Sequence, residues 1–76
     1  MYRKTASVRP VEINGQIVIA PRGHKVEEIA AWFEKSEGAE IVDVRVLGLT
    51  DKRDGTQVST LIEQADFEVE DLPMVI

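Results

Sequence analysis

The sequence predicts an α+β domain in which one helix packs on one face of an antiparallel sheet, in the order ββαβ followed by a fourth strand or a short helix. Three features predict this class: two β-rich runs joined at Asn14-Gly15, a helical stripe of apolar residues, and an alternating segment after Gly38. The length of 76 residues predicts a single small domain over residues 1–76. Residues 1–6 and 64–76 are candidate flexible tails, and a short strand at Phe67–Val69 is the alternative for the second.

The first two strands are predicted from the segment VRPVEINGQIVIAPR, in which Asn14-Gly15 is a strong hairpin signal. A two-residue loop would pair Glu12 with Ile17 and so mix polar and apolar side chains on both faces of the hairpin. A loop with an odd number of residues instead gathers the apolar side chains of both strands on one face. The odd loop, with Gly15 in the left-handed conformation, is therefore the prediction.

The segment HKVEEIAAWFEKSEG predicts an amphipathic helix that ends before Gly38. Glutamates in its first turn and a lysine in its last turn match the helix dipole. Gly38 stands where a left-handed C-cap belongs. The apolar stripe has the spacing i, i+3, i+4 and i+7 and comprises Val26, Ile29, Ala30 and Phe33.

A third strand is predicted where valines alternate with charged residues, after Gly38. If Val42, Val44 and Val46 face the helix, Asp43 and Arg45 lie on the opposite face of the sheet. An Asp-Gly turn follows, and residues 56–65 fit either a strand or a helix. The β-branched content favours the strand, with the helix as the alternative.

The composition excludes several kinds of site. The chain has no cysteine and one histidine, so disulfides, thiolate zinc sites and histidine-rich metal sites are excluded. No spacing of acids, serines or glycines matches a catalytic or phosphate-binding motif. We therefore expect no enzyme activity, no cofactor and no metal. No apolar run approaches the ~20 residues that span a bilayer, so a cytoplasmic protein without membrane contact is expected.

Charge is distributed unevenly along the chain, whose net charge is -5. Residues 1–25 carry five basic side chains and one acidic one, whereas residues 26–76 carry four basic and thirteen acidic ones. Such a surface repels duplex DNA over most of its area, so duplex DNA binding is not expected. It suits a protein partner with a basic surface, and it equally suits an acidic surface that serves only solubility.

Two groups of side chains are candidate sites. Arg22, His24 and Lys25 cluster at the predicted helix start, where they form a candidate anion site or a solvated loop. Trp32 lies beside the apolar stripe and is either an interface anchor or a residue at the margin of the core.

The segment IAAWFEKSEGAEIVDVR, residues 29–45, resembles the small RNA polymerase inhibitor of T7-like phages. The resemblance implies a phage-type inhibitor that binds a host machine directly, such as RNA polymerase, a CRISPR effector or a nuclease, in the bacterial cytoplasm. Arg45 matches one of the arginines that the family uses against the polymerase, whereas Asp43 stands where another would be. The matching positions are Ile29, Ala30, Trp32, Gly38, Glu40, Ile41, Val44 and Arg45.

The sequence therefore favours a small acidic protein-binding module, a monomer or homodimer, that inhibits a host protein. A nucleic-acid-binding module that uses the basic N-terminal hairpin is one alternative, and an accessory or assembly subunit is the other. The hairpin alternative depends on Arg3, Lys4 and Arg9 with Arg22 and Lys25. The predicted partner-binding residues are Arg45, Asp43, Trp32, Glu68, Glu70 and Asp71.

Overall fold

The computed structural model describes residues 4–76, which adopt the predicted α+β class. The elements are α1 (Lys4–Ser7), β1 (Val8–Ile13), β2 (Gln16–Pro21), α2 (Val26–Glu37), β3 (Val44–Val46), β4 (Lys52–Arg53), β5 (Thr56–Gln57), α3 (Val58–Gln64), a 3-10 turn (Val69–Asp71) and β6 (Met74–Val75). Four strands form an antiparallel sheet in the order β3-β1-β2-β6, and β4 pairs with β5 in a separate hairpin. The short strands β3 and β6 are therefore the edges of the sheet.

The turn between β1 and β2 contains two residues, so the predicted odd loop is wrong. Ile13 pairs with Gln16 and Glu12 pairs with Ile17. Asn14 and Gly15 both have positive φ, 51° and 81°, as a type I′ turn requires. Asparagine and glycine adopt this conformation at the lowest cost, and the turn matches the twist of the two strands.

Both faces of the sheet are buried, which explains the register. On the face that α2 covers, called the α2 face, the buried cluster comprises Val11, Ile13, Val18, Ala20, Ile29 and Phe33. On the opposite α3 face, the buried cluster comprises Val8, Ile17, Ile19, Leu47, Val58, Ile62 and Phe67. The two-residue loop distributes apolar side chains over both faces, and each face has a helix to cover it. The prediction failed because it assumed a sheet with one covered face.

Helix α3 replaces the strand that was favoured for residues 56–65. Only Thr56 and Gln57 are extended, and the helix alternative describes the following residues. Val58 and Ile62 are both buried and lie one helical turn apart, so the helix directs both at the α3 face. Burial of this pair outweighs the β propensity of the β-branched residues.

The predicted helix α2 is confirmed. Ile29 and Phe33 from its apolar stripe are each 2% exposed. Gly38 is left-handed with φ of 63° and ends the helix, as predicted. The helix covers the central part of the sheet and leaves the edge strand β3 largely open, so Val46 is 51% exposed and Val42 is 83% exposed. These two valines are therefore not core residues, although Val44 packs against the α2 face.

The C-terminal segment is tied to the rest of the domain through Phe67 and β6. Phe67 is buried in the α3 face, and the segment has its strand at Met74–Val75, where it pairs with β2, and not at Phe67–Val69. Lys4 of α1 lies over the Phe67 ring, with its Nζ 4.7 Å from the ring centroid, and donates a hydrogen bond to the Ala65 carbonyl. The N-terminal and C-terminal segments therefore contact each other on the α3 face.

We expect the two faces to contribute comparably to stability. Phe33→Ala and Ile62→Ala should each lower the free energy of unfolding by about 2–5 kcal/mol, because each empties a buried site on one face. Urea unfolding monitored by circular dichroism measures the free energy of unfolding of each variant. Glu63→Ala, an exposed change on α3, should cost less than about 0.5 kcal/mol. A cost for Ile62→Ala as small as that of Glu63→Ala would contradict the placement of α3.

Candidate protein-interaction surfaces

The chemically reactive side chains of the described residues lie at the surface. Within residues 4–76, no polar or charged residue is buried, and no three His, Asp or Glu side chains are grouped to hold a metal ion. This part of the chain also contains no helix that is long and apolar enough to cross a membrane. The candidate sites are therefore grooves and charged patches at which another molecule can dock.

A groove of about 240 Å³ opens between the N-terminal half of α2 and the end of β2, and we call it the Trp32 groove. Trp32 is half-buried, packs against the cluster on the α2 face and also lines the groove. It therefore lies at the margin of the core, and its role as an interface anchor stays a prediction. The lining residues are Ala20, Pro21, His24, Glu28, Ile29, Trp32 and Pro73.

Glu28 lines this groove and also makes contacts at the start of α2. Its Oε1 accepts a hydrogen bond from the Lys25 backbone N–H at 3.3 Å, which satisfies a donor that the helix leaves free. Its Oε2 lies 3.3 Å from the Nδ1 of His24. The Lys25 backbone hydrogen bond, followed by the contact with His24, lowers the pKa of the Glu28 carboxyl from its usual value.

An acidic turn formed by residues 68–71 precedes Pro73, a residue that lines the Trp32 groove. The Asp71 N–H donates to the Glu68 carbonyl at 2.9 Å, and the Glu68 N–H donates to the Asp71 carboxylate at 3.4 Å. Glu68, Glu70 and Asp71 are all exposed. Phe67 and Leu72, on either side of the turn, pack against the cluster on the α3 face, and Pro73, two residues after Asp71, lines the Trp32 groove. Of the predicted partner-binding residues, Trp32 therefore lines the groove, whereas Glu68, Glu70 and Asp71 lie in the turn that precedes Pro73.

The other two predicted partner-binding residues, Asp43 and Arg45, lie at the opposite edge of the sheet, at β3. The Nη2 of Arg45 lies 3.4 Å from Glu12 Oε1, on the α3 face. The other Glu12 oxygen lies 3.3 Å from the Nη1 of Arg53. One glutamate therefore holds two arginines, and the Arg45 side chain remains 62% exposed.

The three residues of the predicted anion site do not line a common groove. His24 faces Glu28 in the Trp32 groove, whereas Arg22 lines a separate groove with Arg9. Lys25 is exposed at the N-cap of α2. The Arg9 guanidinium donates to the His24 carbonyl at 3.3 Å, and so supports the loop between β2 and α2.

Sequence reasoning missed Glu12, Arg53 and the side chain of Asn14. Asn14 Oδ1 accepts hydrogen bonds from the N–H groups of Val42 and Asp43 at 2.8 and 3.2 Å, and its Nδ2 donates to the Glu40 carbonyl at 2.8 Å. Asn14 therefore holds the segment before β3 against the hairpin turn. A two-residue loop in the β1–β2 hairpin places Glu12 on the α3 face. This register was the signal in the sequence that could have identified Glu12 as a partner of the arginines.

Comparison of the chain with family models, with curated proteins and with solved structures finds no match. The resemblance to the phage polymerase inhibitor therefore stays a prediction. Two surfaces of the domain have the exposure that a partner needs, the Trp32 groove with the acidic turn that precedes Pro73, and the β3 edge.

We expect the contacts of Glu28 to make the stability of α2 depend on pH. Because the pKa of Glu28 is lowered in the folded state, its ionised form stabilises the fold above the unfolded pKa of about 4.3. This contribution is lost as the pH falls through the lower, folded pKa. The melting temperature of Glu28→Gln should therefore lie below that of the native protein at pH 7, and the difference should shrink by pH 3.

Glu27→Gln is the matched control, because the Glu27 side chain makes no hydrogen bond to any of residues 4–76. Thermal unfolding of the three proteins at both pH values measures the effect. A Glu28→Gln difference that stays constant between pH 7 and pH 3 would contradict the proposed role of the carboxylate.

Proposed function

We propose that this protein is a small protein-binding module that docks a basic segment of a target protein on the Trp32 groove and the acidic turn. The observation that carries the proposal is that Pro73, which lines the groove together with Trp32, lies two residues after the exposed acidic turn that contains Glu68, Glu70 and Asp71. Aromatic anchors beside charged rims are typical of protein interfaces.

Trp32 offers the apolar part of the contact. Trp32 is half-buried and packs against the cluster on the α2 face, so the side chain is already ordered before a partner arrives. Binding therefore costs less side-chain entropy than it would with a freely rotating tryptophan. The neighbouring walls from Pro21 and Pro73 are apolar and rigid. An apolar or aliphatic side chain of the partner would fill the groove between them.

The acidic turn offers the selective part of the contact. Glu68, Glu70 and Asp71 are exposed, and the segment from Leu61 to Ile76 contains five acidic residues and no basic one. Lysines or arginines that flank the apolar side chain of the partner would meet these carboxylates. Such charge complementarity raises the association rate and excludes acidic partners. It also makes binding weaker at high ionic strength.

A more specific version of this proposal is that the protein inhibits a host machine by binding to it. RNA polymerases, CRISPR effectors and nucleases present basic surfaces because they bind nucleic acid. A small acidic domain that occupies such a surface would block it without any catalytic group. The resemblance to a phage polymerase inhibitor points to the same class of target.

The nucleic-acid alternative has less support from the described side chains. Lys4 is directed at the Phe67 ring and the Ala65 carbonyl, and Arg9 holds the His24 carbonyl. Both are therefore engaged within the domain. Arg3 of the predicted basic hairpin lies outside the described residues.

Reversing two charges in the acidic turn should weaken capture of the target. Glu68→Lys combined with Glu70→Lys should weaken binding by about tenfold or more, because two rim carboxylates then repel the basic segment. The measurement is a tagged pull-down from host lysate with quantitative mass spectrometry. Asp71 is left unchanged because its carboxylate supports the turn.

The control is Glu34→Lys combined with Glu37→Lys on α2, which changes the net charge equally at exposed residues outside the groove. It should recover the same proteins as the native chain. Because Trp32 is the only tryptophan in the chain, its fluorescence should change when a recovered protein is added. Equal recovery by both double variants, or unchanged fluorescence, would refute the Trp32 groove as the binding surface.

A further inference from the structure

The order of apolar and charged residues around β3 is self-complementary when two copies of the segment run antiparallel. Residues 42–46 read Val-Asp-Val-Arg-Val. The valines are symmetric about Val44, and the two charges, Asp43 and Arg45, are opposite in sign and equally far from it. An antiparallel copy of the same segment, centred on Val44, places a valine opposite every valine and a charge opposite its counter-charge.

The outer side of β3 is available for such pairing. No residue between 4 and 76 pairs with it, because β3 lies at the edge of the sheet beside β1. The Asp43 carbonyl accepts from Asn14 N–H at 2.9 Å, and the Leu47 N–H donates to the Pro10 carbonyl at 3.2 Å. Residues 43, 45 and 47 therefore direct their backbone groups at β1. By the alternation of an antiparallel ladder, Val44 and Val46 direct theirs outwards.

Exposed apolar surface marks the same edge. Val42 and Val46 are 83% and 51% exposed and are the two most exposed large hydrophobic residues of the described chain. An edge strand with free backbone groups and exposed valines is a template for pairing with another strand. Both valines lie within the self-complementary segment.

We propose that two copies of this chain pair antiparallel through β3, about a two-fold axis at Val44. The two Val44 residues exchange two backbone hydrogen bonds across the axis. Each Val46 N–H donates to the Val42 carbonyl of the other copy, while each Val42 N–H stays on Asn14. The two four-stranded sheets then form one continuous sheet, with both α2 helices on the same side.

Charge selects this register over the others that the edge permits. In the register centred on Val44, Asp43 of each copy lies opposite Arg45 of the other, in the closer, non-hydrogen-bonded type of pair. A register centred on Arg45 would place the two arginines opposite each other, which is destabilising. A register centred on Val46 would place Arg45 opposite Leu47 and leave Asp43 without a counter-charge.

Arg45 can form an ion pair with Asp43 of the second copy while it keeps its contact with Glu12. Its guanidinium has five donors, and the contact with Glu12 engages only one side of it. Because Arg53 also holds Glu12, two positive charges share one negative charge at this place. The Asp43 carboxylate of a second copy supplies the missing negative charge. This proposal does not depend on the Trp32 groove, which lies toward the other edge of the sheet.

The interface is small, so the dimer should be weak and reversible. It consists of about five residues from each copy, below the size of standard stable interfaces, and we expect a dissociation constant of about 10–100 µM. Sedimentation velocity from about 5 µM to 1 mM should therefore show a shift from monomer to dimer. A native protein that stays monomeric at about 1 mM would overturn the proposal.

Charge reversal tests the register. Asp43→Arg alone and Arg45→Asp alone should each raise the dissociation constant by about tenfold or more, because each creates two like-charge pairs across the axis. Mixing the two variants should restore association, since the mixed dimer pairs two arginines with two aspartates. Glu63→Arg, on the exposed face of α3, makes the same charge change as Asp43→Arg and should associate like the native protein.

Association of both single variants at native strength, or no association in their mixture, would overturn the Val44-centred register. Amide hydrogen exchange of the native protein gives a second test that needs no variant to fold. The Val44 and Val46 amides should become protected as the concentration rises above the dissociation constant. Rapid exchange of both amides at concentrations where sedimentation shows a dimer would place the interface elsewhere and refute pairing through β3.

Discussion

The two-residue turn at Asn14 and Gly15 sets the register on which both apolar layers depend. Because side chains alternate, a slip of one residue between β1 and β2 would turn Glu12 from the α3 face, where it meets Arg45 and Arg53, toward the apolar cluster under α2. Asn14 also fixes the next strand, since its side chain binds three backbone groups of residues 40–43. One residue therefore aligns β1 with β2 and β1 with β3, and a domain this small has few other contacts that could do so.

Local patterns predicted the elements that depend on neighbouring residues, and missed those that depend on distant ones. The stripe of α2 and its Gly38 cap follow from spacing and from one backbone conformation, so they could be predicted. The register of the hairpin could not, because it depends on whether α3 covers the second face. The β-branched residues Val58 and Ile62 favoured a strand by propensity, and only the burial of both on one face explains the helix.

The candidate site was predictable in its residue types but not in its grouping. Trp32 was identified from its place beside the helical stripe, and the acidic residues near the C-terminus from the distribution of charge along the chain. The link between them through Pro73 depends on β6, a two-residue strand whose pairing with β2 leaves no signal in the sequence. The pairing of β1 with β3 likewise gives Arg45 a partner in Glu12 that no local pattern indicates. Asp43 and Arg45 consequently belong to a different surface from the tryptophan with which they were first grouped.

The separation of the two surfaces has a consequence for how the protein would act. A dimer through β3 leaves both β6 edges at the ends of the extended sheet, so the two Trp32 grooves would face a target together. A target with two basic segments would then bind the second groove at the high effective concentration that the dimer imposes. Binding of one such target would in turn favour the dimer by mass action. Self-association through β3 and binding at the groove would therefore reinforce each other.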